Sequence, residues 1–173
     1  MAYEISKKLS YQQGEVETPL GTSKMDLPES SPVLIAILRA ALPYLNGFQN
    51  YFNKSDVGFI GAFRKKKSGE VSIKLDYAAA PDLTDKHVIL IDPMLATGNS
   101  LLDSVNELIT RGVPAHLHIA ALVAAPEGIA HLEKNLKIPH TIWTFSVDEK
   151  LDHRYYIIPG LGDAGDLSYG AKV

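Results

Sequence analysis

The sequence predicts an α/β fold: a mostly parallel twisted sheet flanked by helices, with an inserted β-hairpin and a C-terminal loop. Three observations carry this. Short apolar runs recur at Val33 to Leu38, Val88 to Asp92, His118 to Ala124 and Thr141 to Val147, and such runs between turn residues read as buried strands. Helical spacing of apolar residues fills the gaps between them, and that alternation implies parallel strands with right-handed crossovers. The runs Val57 to Phe63 and Val71 to Tyr77 instead flank a basic stretch, Arg64 to Glu70, which is the pattern of a hairpin.

The elements follow in chain order. Met1 to Leu9 is helix-compatible but lacks a capping signal, and reads as the end of a longer segment. Residues 10–31 are polar and turn-rich. After the first buried strand, Arg39-Ala-Ala-Leu-Pro43 leads into a helical stretch through Phe52. The next core strand, Val88 to Asp92, ends in an acid. The helix after it carries Leu101, Leu102, Val105, Leu108 and Ile109 on one side, and Gly112 stops it after Arg111. Pro126 opens another helix with Ile129, Leu132 and Leu136. The tail from Tyr155 is glycine-rich and reads as irregular.

At 173 residues the chain is one domain by length, residues 1–173. Its composition is that of a globular protein, 46% apolar and 21% charged, and a net charge of −3 argues against a broad nucleic-acid surface. Any anion site must therefore be local. Without cysteine there is no disulfide framework, thiolate chemistry or Cys-based zinc site. Neither a signal peptide nor an apolar run of about 18 residues is evident, so the expectation is a soluble cytoplasmic protein with no membrane partner. His116 and His118 have strand spacing without a third ligand nearby in sequence, so their expected role is structural and no metal site is assigned to them.

The segment richest in chemistry is His87-Val-Ile-Leu-Ile-Asp-Pro-Met-Leu-Ala-Thr-Gly-Asn-Ser100. A strand feeding a glycine-containing turn and a helix start directs several backbone N–H groups at one point, which makes an anion site. Asp92 adds a carboxylate at the strand's carboxyl end, where open α/β sheets bind ligands, or serves as a local turn acceptor. The segment lacks the three glycines of a dinucleotide fingerprint and the Gly-Lys-Ser/Thr of a P-loop. Arg39, directly after a buried strand, offers a guanidinium fork to a second anion or pairs with a surface carboxylate.

Asp92-Pro-Met-Leu-Ala-Thr-Gly98 resembles the phosphoribosyl pyrophosphate (PRPP) loop of uracil phosphoribosyltransferases, members of the type I phosphoribosyltransferase superfamily. Ile37-Leu-Arg-Ala-Ala-Leu42, Gly58-Phe-Ile-Gly-Ala-Phe-Arg64 and Tyr156-Ile-Ile-Pro-Gly-Leu-Gly-Asp-Ala-Gly-Asp166 are similar to three further stretches of that family. The resemblance implies transfer of a phosphoribosyl group from PRPP to uracil, giving UMP and pyrophosphate in pyrimidine salvage. It implies that Arg39, Arg64, Asp92 and Asp163 are catalytic. PRPP would lie against these four and against Pro93, Met94, Leu95, Ala96, Thr97, Gly98, Asn99 and Ser100. Uracil would meet Tyr156, Ile157, Gly162, Asp163 and Ala164, mostly through main chain. Mg²⁺ would be bound mainly through PRPP and water, and the enzyme would form a homo-oligomer, a dimer or tetramer.

Three positions depart from the family pattern: Ala41 and Asn99 stand for glycines, and Leu167 for a common arginine. In the family's diphosphate loop a cis peptide often precedes the glycine, and a β-carbon at Ala41 is expected to hinder close approach there. Family members also carry roughly thirty further N-terminal residues. Ala41 and the shorter N-terminus motivate a second reading, a nucleotide-binding or regulatory homologue with impaired turnover; a third is a transferase for another base, and the tail's match to the uracil group argues against purines.

Overall fold

The computed structural model describes residues 1–67 and 70–171, with the side chains of 62–67 and 70–76 left aside. The short N-terminal helix α1, Ala2–Ser6, is pinned by Ile5, which is fully buried. Residues 10–31, polar and turn-rich in sequence, form an antiparallel hairpin of β1, Tyr11–Thr18, and β2, Gly21–Pro28, closed by a Thr18 to Gly21 pairing. It is exposed on nearly all of both faces, so no alternation of apolar and polar residues announced it.

The core begins with β3, Val33–Leu38, and α2, Leu42–Tyr51. The inserted hairpin follows as β4, Val57–Lys67, and β5, Glu70–Ala79, so its strands run further through the basic stretch than expected. Next come β6, His87–Ile91, β7, Met94–Leu95, and α3, Asn99–Leu108, which ends in a 3₁₀ turn, Ile109–Arg111, and Gly112. The chain continues through β8, His116–Ala124, α4, Pro126–Asn135, and β9, His140–Val147. The tail is ordered: β10, Lys150–Leu151, pairs with β11, Ile157–Ile158, and α5, Ala164–Tyr169, closes the chain.

The main sheet runs β5-β4-β3-β6-β8-β9, with β7 extending the β6 side of β8. Every pairing is parallel except β4 with β5. Two apolar layers cover it. One face packs Val88, Leu90, Leu117 and Ile119 against Leu101, Val105 and Leu108 of α3 and Leu132 of α4. The other packs Leu34, Ile89 and Ile91 against Ile5 of α1 and Leu45 and Phe48 of α2. Burial on both faces explains why β3 and β6 read as unbroken apolar runs. None of the helices is long and apolar enough to cross a membrane, among the described residues.

Parallel strands put β3, β6, β8 and β9 carboxyl ends on one edge of the sheet. Arg39 and Asp92 therefore arrive side by side, although 53 positions apart, because β3 and β6 are hydrogen-bonded neighbours.

Candidate active site

A cleft of about 750 Å³ lies over that edge. Its floor is the turn after β6. Asp92 Oδ1 accepts the Met94 N–H at 3.4 Å, and the Pro93 carbonyl accepts from Leu122 N at 2.9 Å, which ties the turn to β8. Gly98 has φ +80° and caps the start of α3, a left-handed conformation that favours glycine. Asn99 N–H bonds back to Thr97 Oγ1 at 3.4 Å. The amides of the first helical turn thus begin at the cleft, next to Thr97, Gly98 and Ser100, and form a partly positive end suited to a phosphate.

A second wall comes from β3. Arg39 lines the cleft, and the peptide bond between Leu38 and Arg39 is cis. The cis bond is not the one preceding Ala41. Ala41 has φ −75°, heads α2 and is fully buried in the layer beneath. The expected conflict between its β-carbon and the loop is absent, because this position uses ordinary helical backbone and its methyl faces the core.

The third wall is the tail. Tyr156, Gly162, Asp163 and Ala164 line the cleft. This loop is held by carboxylates that the sequence reading left without a role. Asp152 Oδ1 accepts the N–H groups of Arg154 and Tyr156, both at 2.8 Å. Those bonds, Tyr156's first, hold its pKa below the ordinary value. Asp148 Oδ2 accepts Gly160 N–H at 2.8 Å, and Glu127 Oε1 accepts Leu151 N–H at 3.0 Å, which lowers the Glu127 pKa. Glu127 is thus a scaffold contact. Asp163 Oδ1 caps α5 by accepting Asp166 N–H at 2.9 Å.

The structure brings Arg39, Asp92, Pro93, Met94, Ala96, Thr97, Gly98, Ser100, Tyr156, Gly162, Asp163 and Ala164 to one cleft. Three expected residues stand apart from its lining. Leu95 is fully buried, with its carbonyl accepting from Ala125 N at 2.8 Å. Ile157 is buried in β11, and Asn99 is exposed on α3. Arg64 belongs to β4, and its side chain lies outside the described residues. Asp166, not anticipated, pairs with Arg39 at 2.9 Å. Its spacing of three from Asp163, a helix-capping interval, is the one local signal that hinted at α5.

The family model described as uracil phosphoribosyltransferase matches residues 1–171. The chain belongs to the uracil phosphoribosyltransferase family. It is 45% identical over 174 aligned positions to a uracil phosphoribosyltransferase of Porphyromonas gingivalis, covering 100% of this chain and 81% of that one. A second relative of the same name, from Methanothermobacter thermautotrophicus, is 38% identical, covering 98% of this chain and 78% of its own. Among solved structures, the AQ2163 protein of Aquifex aeolicus superposes with a TM-score of 0.88 at 34% identity, covering 99% of this chain and 81% of that one. The uracil phosphoribosyltransferase family thus embraces the α/β core, the cleft and the ordered tail together.

Proposed function

We propose that this chain transfers the phosphoribosyl group of PRPP to N1 of uracil, releasing pyrophosphate and forming UMP. The observation that carries the reading is the convergence of three distant segments on one cleft: an N–H turn with an acid, an arginine loop and a main-chain-lined tail. Those three suit the 5-phosphate and ribose, the diphosphate, and a neutral planar base.

The bond from C1 to the diphosphate oxygen breaks through an oxocarbenium-like state, so the protein's work is electrostatic. Arg39, joined by Arg64 on the hairpin, takes the charge growing on the departing diphosphate. Asp92 holds ribose hydroxyls. The amides of residues 96–100 hold the 5-phosphate with the Thr97 and Ser100 hydroxyls, while Pro93, Met94 and the buried Leu95 shape the turn. Uracil lies under Tyr156 against the main chain of Gly162 and Ala164, with Asp163 between base and ribose and the buried Ile157 supporting the loop from β11. Backbone C=O and N–H groups read its edge without charge.

Asp92 and Asp163 place hard oxygen donors on the cleft wall, which fits Mg²⁺, and no cluster of three or more ligating side chains occurs among the described residues. The ion would be held through substrate oxygens and water beside these two acids. When bound, Mg²⁺ supplies further positive charge to the diphosphate. The reading includes a homo-oligomer, dimer or tetramer; among the described residues β9 pairs only with β8 and leaves Phe145 and Val147 exposed at that side of the sheet. Light scattering reads the assembly directly.

The test is pyrophosphate release from PRPP with Mg²⁺ and uracil, with cytosine and hypoxanthine as controls. Uracil-dependent release is expected. Release only with hypoxanthine makes the chain a transferase for another base, and no release with any base overturns the reading.

A further inference from the structure

Arg39 is gripped from outside its own loop. Its Nη2 donates to Asp166 Oδ1 at 2.9 Å and to the Gly170 carbonyl at 2.7 Å. The Tyr169 ring centroid lies 5.8 Å from its Cζ. All three partners belong to α5 or its C-cap, more than 120 positions along the chain. The seam is tight: a β-carbon built on Gly165 would lie 3.2 Å from Asp163 Oδ1, 3.7 Å from Ala40 Cβ and 3.8 Å from Arg39 Nε. Meanwhile Arg39 Nε is buried with no hydrogen-bond partner among the described residues. A buried guanidinium N–H without an acceptor is costly, so the side chain is held in this pose by its Nη2 bonds.

We propose that Asp166 is a positioning residue for the diphosphate-binding arginine. A guanidinium is a rigid planar fork, so fixing Nη2 fixes the direction of its other donors. With Nη2 committed to Asp166 and Gly170 and Nε enclosed against the Gly165 seam, Nη1 remains for the diphosphate oxygens, already oriented before substrate arrives. Pre-orientation lowers the ordering cost of binding. The inference rests on the assignment of Arg39 to diphosphate made above. It also gives the tail a second task, since the helix capped by Asp163 beside the base site carries the clamp for the diphosphate site.

Calorimetric titration of the full chain with inorganic pyrophosphate and Mg²⁺ reads the clamp without turnover. Asp166→Asn, nearly isosteric, is expected to weaken pyrophosphate binding about tenfold, the size of a lost charge-assisted hydrogen bond. Asp166→Ala is expected to weaken it at least as much. In turnover, both raise the KM for PRPP while kcat moves less than about threefold, whereas a general loss of packing would lower both. Leu167→Ala, on the same turn but 71% exposed, leaves pyrophosphate binding unchanged.

Binding by Asp166→Asn equal to wild type overturns the proposal. Tighter binding overturns it too, by making Asp166 a competitor for Arg39. If Asp166→Ala fails to fold, the Asn variant decides alone. Wild-type chain that binds no pyrophosphate also overturns it. If the predicted binding pattern holds but PRPP and uracil give no pyrophosphate, the reaction assignment falls and the clamp stands.

Discussion

Gly128, in the first turn of α4, sits against the Ala96 carbonyl so closely that a β-carbon there would overlap the oxygen. The same β-carbon would lie 3.1 Å from Leu95 Cδ1, and one on Gly98 would lie 3.0 Å from the Gly128 carbonyl. The PRPP turn is therefore backed by bare backbone. Gly128→Ala must push the turn toward the cleft, because a main-chain oxygen cannot swing aside as a flexible side chain can. The expected result is a KM for PRPP raised at least about tenfold and a stability loss of about 1–3 kcal/mol, the usual cost of overpacking. Steady-state kinetics and a denaturant titration read the two effects separately.

Ala41 gives the opposite expectation. Its methyl is fully buried and its φ of −75° is helical, so glycine, the residue the family pattern carries there, removes packing and adds unfolded-state freedom. Ala41→Gly should destabilise the chain by about 1 kcal/mol, the loss of one buried methyl at the helix N-cap. A stabilised Ala41→Gly chain in a thermal melt would contradict this.

Asp152 is expected to govern the base site from a distance. Its carboxylate holds the N–H groups of Arg154 and Tyr156. Asp152→Ala frees both amides and loosens the loop that carries Tyr156. The KM for uracil should rise about tenfold, with the KM for PRPP changed far less. Asp152→Asn, which keeps one acceptor oxygen, should fall between. Varying each substrate at saturating levels of the other distinguishes the two constants.

Trp143 Nε1 donates to His118 Nδ1 at 3.2 Å, and an indole N–H can only donate. His118 is therefore neutral with its proton on Nε2, which lies 3.3 Å from His87 Nδ1. Burial, with lesser repulsion from His116 and His87, pushes the His118 pKa down from 6.5 to about 4. Above pH 6.5 this group is neutral both folded and unfolded, and its contribution is intact. As pH falls from 6.5 toward 4 the unfolded chain takes the proton first, so stability is lost across that window. The loss is on the order of 3 kcal/mol. His87 and His116, also pushed down mainly by burial, act with the same sign. Urea titrations at pH 7.5 and pH 5 should differ by about 2 kcal/mol through this group, and His118→Gln should shrink the difference.

The parts of the site that were legible are local in sequence. β3 and β6 announce themselves because both faces are buried, which leaves nothing but apolar residues between their ends. Asp92, Thr97, Gly98 and Ser100 lie within one turn, where residue types and spacing already imply a strand, an acid and a fan of amides. The β1–β2 hairpin was illegible for the converse reason: exposed on both faces, it carries no apolar alternation, and its backbone pairing is indifferent to side-chain type. α5 was illegible because a six-residue helix has no periodicity to read. It exists through its Asp163 cap and its grip on Arg39.

By itself the sequence determined the order of the core strands and helices, the phosphate-type turn and the family motifs, since each is written in neighbouring residues. Only the tertiary structure decided that Ala41 sits on helical backbone with its methyl in the core, that Asp152, Asp148 and Glu127 hold the C-terminal tail, and that Asp166 pairs with Arg39. These depend on contacts between segments far apart in the chain, where the partner is chosen by how the sheet closes the intervening loops and not by any local pattern.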